Sequence, residues 1–191
     1  MSNTNLDLDF DSCPSLAPFL GYMGVAIAIV AANVGAASGT AKAGVGIMQS
    51  GIRSPELIWR NLIPVVMAGV NGIYGLITSI ILVGAISSPG NGGANTYSLY
   101  TGAAHLMAGA CCGLSGLGSG VCIGIAGDAA VQACGIYDWE CKKPGGRGKK
   151  GGGDKLFVSM VLIQVFAGNI ALYGLIASIL LSQQVYYCGQ N

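Results

Sequence analysis

Ile73-Tyr74-Gly75-Leu76-Ile77-Thr78-Ser79-Ile80-Ile81 returns later in the chain as Leu172-Tyr173-Gly174-Leu175-Ile176-Ala177-Ser178-Ile179-Leu180. Neither copy holds a charged residue, and each lies inside a longer apolar run. That is the composition of a helix in hydrocarbon rather than of a half-exposed helix in water. The segments upstream of the two copies also correspond: Gly24, Gly35 and Gly39 match Gly109, Gly120 and Gly124 at one constant offset. The unit is therefore a two-helix hairpin, present twice in tandem. Both copies run the same way through the membrane, so the repeat is parallel rather than inverted.

The rest of the chain carries the same signature. Its 191 residues are 52% hydrophobic and only 9% charged, with 32 glycines; a soluble domain carries about 25% charged residues. Small residues at this density imply helices that approach closely. No Asp, Glu, Lys or Arg occurs between Ser12 and Ala41, between Asn61 and Gly127, or after Lys155. One span needs about 20 apolar residues, so the middle window holds two. The polar stretch from Ser87 to Asn95 divides them. Four helices are expected, near 16–48, 55–86, 98–133 and 155–185. The expected fold class is an all-α membrane protein with four transmembrane helices in two tandem hairpins. Its segments are a tail at 1–15, hairpin one at 16–86, a loop at 87–97, hairpin two at 98–185 with an insertion at 139–153, and a second tail at 186–191.

The basic residues orient the hairpins. Lys42, Arg53 and Arg60 flank the first connection, and Lys142, Lys143, Arg147, Lys149, Lys150 and Lys155 flank the third; these are all nine Lys and Arg. The positive-inside rule makes that side cytosolic, with both termini and the 87–97 loop on the luminal side. Asp7, Asp9 and Asp11 precede the first span and no basic residue does, unlike a secretory signal, so that span is expected to be retained. Cys13 and Cys188 fall on the same luminal side, which leaves a disulfide between them open. Cys111, Cys112 and Cys122 read as small buried hydrophobes. No Cys/His spacing suggests a metal, and no cofactor is implied.

Glycine placement bears on packing. Gly116, Gly120 and Gly124 recur every four residues, as do Ala31, Gly35 and Gly39. Small-xxx-small ridges of this kind let helix backbones touch. Helices one and three are therefore expected on a crowded inner surface, with the bulkier helices two and four outward. A compact monomeric bundle satisfies the pattern too, but ridges at matched positions suit a ring of many subunits, with Gly35, Gly39, Gly116, Gly120 and Gly124 as its packing residues.

Several longer segments, in one order, resemble the proteolipid c subunits that form the membrane ring of rotary V-type ATPases. Gly39-Thr40-Ala41-Lys42-Ala43-Gly44-Val45-Gly46-Ile47 is similar to the family's G-T-A-K-S-G-V-G-I, and Ile63-Pro64-Val65-Val66-Met67-Ala68-Gly69-Val70 to its I-V-P-V-V-M-A-G-V. Gly124-Ile125-Ala126-Gly127-Asp128-Ala129 resembles G-I-V-G-D-A, and Phe166-Ala167-Gly168-Asn169-Ile170-Ala171-Leu172-Tyr173-Gly174-Leu175-Ile176 resembles F-A-E-A-L-A-L-Y-G-L-I. The resemblance runs from about Leu16 to Ser182. It implies a four-helix subunit of a c-ring in the membrane of a vacuole, lysosome or other acidic compartment. The implied partners are paralogous proteolipids, the a subunit of the stator, central-stalk subunits and lipid, with no nucleic acid.

The resemblance also exposes a departure. In the family the glutamate of the last motif carries the translocated ion, and here its place is Gly168. The repeat-equivalent place is Gly69, again glycine. A carboxyl can cross the lipid face neutral and pair with a stator cation when charged, because burial raises its pKa and a cation lowers it. Glycine has nothing to titrate. All eight acids lie elsewhere, and the one nearest a membrane segment, Asp128, reads as an interfacial acid. No ion-binding or catalytic residue is therefore expected. The polar candidates left near the vacated position are Gln164, Asn169 and Asn71, which read as hydrogen-bonding glue between helices, with ion coordination as the rival. Tyr74 and Tyr173 read as helix-packing hydroxyls, Pro64 as a kink in helix two, and His105 as an interfacial histidine. The Gly/Lys insertion reads as a solvated loop, with contact to anionic lipid or a stalk subunit as its rival.

Three functions compete at this point. The chain is a ring subunit of a rotary proton-translocating ATPase without its own proton site, or part of a non-pumping ring used as scaffold or pore, or an ordinary proton carrier with a relocated site such as Asp128. The chain shows no nucleophile-base pair and no phosphate loop, so any ATP hydrolysis belongs to partner subunits.

Overall fold

The computed structural model describes residues 16–86, 97–142 and 152–186. Cys13, Cys188, the 87–95 stretch and most of the basic insertion lie outside them. Four α-helices account for nearly all the rest: α1 (Ala17–Arg53), α2 (Ile63–Ala85), α3 (Leu99–Lys142) and α4 (Gly152–Ser182). Each is long and apolar enough to cross a membrane. Among the described residues the fold is all-helical, as the charge map implies.

The helix ends follow local chemistry. α1 stops at Ser54 because Pro55 follows, and a residue before proline is pushed out of the helical region; Ser54 has φ −142° and ψ 80°. Its N–H still closes the last turn on the Ser50 carbonyl at 3.0 Å. Two single 3₁₀ turns follow, Pro55–Leu57 and Arg60–Leu62, before α2 begins at Ile63. Pro64 therefore sits in the first turn of α2, where a missing N–H needs no partner. It opens the helix instead of kinking it. α3 runs nine residues past the expected end at 133, to Lys142, so Trp139–Lys142 of the insertion is helical. At the 44 residues of α3, a rise of 1.5 Å per residue makes it about 66 Å long, well beyond a hydrocarbon core.

α1 and α3 run parallel, side by side, and glycine sets their separation. A Cβ built on Gly35 would lie 2.6 Å from the Gly116 carbonyl oxygen and 2.6 Å from the Leu117 Cα. One built on Gly39 would lie 2.6 Å from the Gly120 carbonyl oxygen, and one on Gly120 would collide with the Gly35 backbone. The two ridges read from the sequence thus face each other within one chain. α2 lies antiparallel against this pair, Gly75 over Ala28 and Ala32 of α1, and Ser79 donating to the Val25 carbonyl at 3.2 Å. α4 lies antiparallel against α3, with Gly174 against Ser115. Three small apolar clusters tie the layers: Ala68, Ile123 and Ala167 at mid-height, Ile47, Val131 and Met160 toward the basic end, and Ala17, Ile86 and Tyr97 at the other end.

The two outer helices are not equivalent. α2 buries Pro64, Asn71, Thr78 and Leu82. The matching positions of α4 are Ile163, Ile170, Ala177 and Leu181, and of these Ile163, Ile170 and Leu181 are exposed at 49%, 48% and 38%. The reason is positional: the second hairpin covers that face of α2, and nothing among the described residues covers it on α4.

The close approach makes a sharp prediction. Gly35→Val should destabilise the fold by at least the roughly 1–3 kcal/mol typical of overpacking. Gly44→Val, on the same helix with nothing within 4 Å of its Cβ, should stay within about 0.5 kcal/mol of the parent. Reversible unfolding of both variants in lipid–detergent micelles reads the difference.

Candidate functional site

The site is defined by the two glycines that stand where the resemblance expects acid. Gly168 lies in the middle of α4 on a continuous helix, and Gly69 near the start of α2. A Cβ at either would meet nothing within 4 Å. Within the chain no backbone approaches either glycine, in contrast to Gly35 or Gly120. Around Gly168 the outer face of α4 is apolar and open, with Phe166 65% and Tyr173 67% exposed. Tyr173, read as a helix-packing hydroxyl, faces outward in the single chain, and Tyr74 is half-buried.

The amides turn inward, away from that open face. Asn71 is buried, and its Nδ2 donates to Ser119 Oγ at 3.1 Å; Ser119 Oγ in turn donates to the Ala167 carbonyl at 2.7 Å. One hydroxyl on α3 thus joins α2 to α4 at the residue preceding Gly168. Gln164 is also fully buried, and its Nε2 donates to the Ile123 carbonyl of α3 at 3.3 Å. Both behave as interhelical glue, each such bond worth about 0.6 kcal/mol in a membrane. Among the described residues, Asn71 Oδ1 and Gln164 Oε1 accept no hydrogen bond. These acceptors can take a proton donor such as water or a hydroxyl, but an amide cannot change charge. Asn169 is half-buried beside Gly168. The sequence reading misses Ser119; its signal is a hydroxyl adjoining the Gly116–Gly120 ridge, where a polar group is forced to find a carbonyl.

Asp128 belongs to another place. It lies nine residues along α3 from Ser119, about 14 Å by helical rise. Its carboxylate faces α1 at Gly46, and Oδ1 accepts from Gln132 Nε2 at 2.8 Å. The paired acids are at the basic end. Arg60 pairs with Asp154 at 3.0 Å and its guanidinium lies 4.7 Å from the Phe157 ring centre, while Lys142 bridges Glu56 at 3.1 Å and Asp138 at 3.2 Å. The Arg60–Asp154 and Lys142–Glu56 pairs join the first connection to the near ends of α4 and α3, while Lys142–Asp138 lies within α3; exposed as they are, they add little stability. Among the described residues no group of three or more His, Cys, Asp or Glu could hold a metal ion.

His105, read from the sequence as interfacial, lies at the end of the bundle opposite the basic residues. It is wholly buried between Tyr97 and the end of α4.

The sequence profile of the ATP synthase C-subunit family matches residues 23–82 and 106–181, one hairpin each. The V-type proton ATPase 16 kDa proteolipid subunit of Chrysotila carterae is 47% identical over 178 residues, covering 93% of this chain and 98% of that one. A V-type proton ATPase 16 kDa proteolipid of Caenorhabditis elegans, its c 2 form, is 43% identical over 175 residues, covering 92% and 96%. The V-type proton ATPase c' subunit of Neurospora crassa is 38% identical over 174 residues, covering 91% and 93%. Two matched hairpins, near-complete mutual coverage and four membrane-length helices agree: the chain belongs to the V-type ATPase proteolipid branch of the ATP synthase C-subunit family.

Proposed function

We propose that the chain is a subunit of the Vo membrane ring of a rotary V-type proton-translocating ATPase, and that it carries no proton itself. One observation carries the second half: both places that could hold the titrating carboxyl are glycine with open space around them, and none of the three amides nearby, Asn71, Gln164 and Asn169, can titrate in its place. Asp128 supports the same reading, because its carboxylate lies against Gly46 of α1 and accepts from Gln132 of its own helix, so a relocated site is disfavoured.

The exposed apolar stripe on α4 supports assembly. It repeats the stripe that α2 buries against the next hairpin, so a further hairpin from a neighbouring subunit is the natural cover for it. On this reading the neighbours are paralogous proteolipids that keep their acid. The ring meets the a subunit of the stator on its outer face and central-stalk subunits at the basic end. The basic end then faces the cytosol and the other end faces the acidified compartment. A silent subunit leaves the ring with fewer protons moved per turn and alters the spacing of charge around it.

The proposal has a direct test because the space at Gly168 is free. Dicyclohexylcarbodiimide, which modifies protonated carboxyls buried in membrane, should leave the apolar spans of the parent chain unlabelled and should label Gly168→Glu. In cells lacking the acid-bearing paralogue, Gly168→Glu should restore some acidification where the parent chain restores none. Label inside a span of the parent chain would sink the silent assignment. Copurification of the chain without any stator or catalytic-head subunit would instead favour a non-pumping scaffold.

A further inference from the structure

The step that carries the first hairpin onto the second is taken once within the chain, and it leaves two edges open. Gly75 of α2 lies against the Ala32 side chain and the Ala28 carbonyl of α1; its repeat equivalent, Gly174 of α4, lies against the Ser115 side chain and the Cys111 carbonyl of α3. Ala28 and Ala32 stand 83 residues before Cys111 and Ser115, whereas the glycines of α1 and α3 match in sequence at 85. Two residues turn a helix by about 200°. The glycine ridge of α3 is thereby swung back onto α1, and a different face of α3 continues the repeat. Gly24, Gly35 and Gly39 are buried against α3, but their structural counterparts Met107, Gly118 and Cys122 are all exposed. Gly109, Gly116 and Gly120 are buried against α1, but their counterparts Ala26, Asn33 and Ala37 are all exposed. Each hairpin is thus open on the face that the other hairpin has covered.

We propose that the two open edges are the halves of one head-to-tail seam, filled by a second copy of this chain, and that Asn33 is its polar key. A heterologous contact of this kind closes into a ring when the rotation permits. Repeating the step inside the chain once more places each residue. A Cβ on Gly39 would meet the Gly120 carbonyl oxygen at 2.6 Å; one hairpin on, Cys122 meets Ala37 of the next copy. A Cβ on Gly116 would lie 3.3 Å from that of Ala32; one hairpin on, Asn33 of the next copy lies against Ser115. Asn33 is exposed near the middle of α1, and its Nδ2 donates one hydrogen to the Ile29 carbonyl at 2.9 Å. Its second hydrogen donates across the seam to Ser115 Oγ, which keeps its own bond to the Cys112 carbonyl at 3.0 Å. The Asn71 amide makes the same bond inside the chain, to Ser119. Facing lipid, the Asn33 amide would lack such a partner.

The seam rests on the ring membership proposed above: two copies standing side by side in the ring meet there. Gly35, Gly39, Gly116 and Gly120 then serve within the chain, and Asn33, Ala37, Gly118 and Cys122 serve between chains. With side chains at the seam in place of most of the glycines, neighbouring chains stand further apart than α1 and α3 do.

Oxidative cross-linking in membranes that hold the full-length chain tests it. Ala37→Cys should form disulfides with the native Cys122 of a second copy, giving a ladder of covalent oligomers. The ladder should be absent from the parent chain and from Ala37→Cys combined with Cys122→Ser. Asn33→Leu and Ser115→Ala should each lower the ratio of oligomer to monomer in mild detergent by about threefold per seam, and the double variant no further. Oligomers of ring size in which Ala37→Cys links to no second copy, or links only to another protein, overturn the seam and leave ring membership standing. Additive losses in the double variant overturn Asn33 as the key. A chain that stays monomeric in native membranes overturns the ring reading itself, and the seam with it.

Discussion

Contact between the backbones of α1 and α3 is the constraint on which the rest of the structure depends. In water a hydrophobic core would hold two helices together across large side chains. In lipid that force is absent, and dispersion between closely fitted surfaces must replace it. Gly35, Gly39 and Gly120 provide the fit by having no Cβ where the partner's carbonyl oxygen lies. Once α1 and α3 are joined at that distance, α2 and α4 can only pack on the outside, each bringing its own small residues, Gly75 and Gly174, to the contact. The bulky residues are left facing outward.

That arrangement explains where polar chemistry can occur. The helices are close enough for a short side chain such as Ser119 to span three of them, and the buried amides find partners on α3. Where the family's acid would project from α4, the position is open and empty of any side chain. On the proposed reading the subunit stands in a rotor without the group that couples rotation to a proton. Its one histidine, His105, sits at the far end and ties segments together instead.

Much of this is legible in the sequence. The charge-free windows define the four spans, the returned Tyr-Gly-Leu-Ile segment reveals the duplication, and counting back from Tyr173 and Tyr74 finds Gly168 and Gly69. What is not legible depends on neighbours. Pro64 reads as a kink because the two 3₁₀ turns that delay the start of α2 leave no periodic signal. Trp139–Lys142 reads as loop because the charges there mark the membrane boundary, not the helix boundary. The burial of His105 is not legible because it is produced by Tyr97 and Ser182, one from a connector and one from the other end of the hairpin. The matched glycine ridges read as contacts between hairpins, and they are met inside one chain.

The central claim is that this subunit turns without carrying a proton. Rings assembled from this chain alone, joined to the stator and the ATP-hydrolysing head and sealed in vesicles, measure it most directly. The account predicts that ATP hydrolysis by such an assembly produces no acidification. Acidification that stops when the ATPase is inhibited would contradict it.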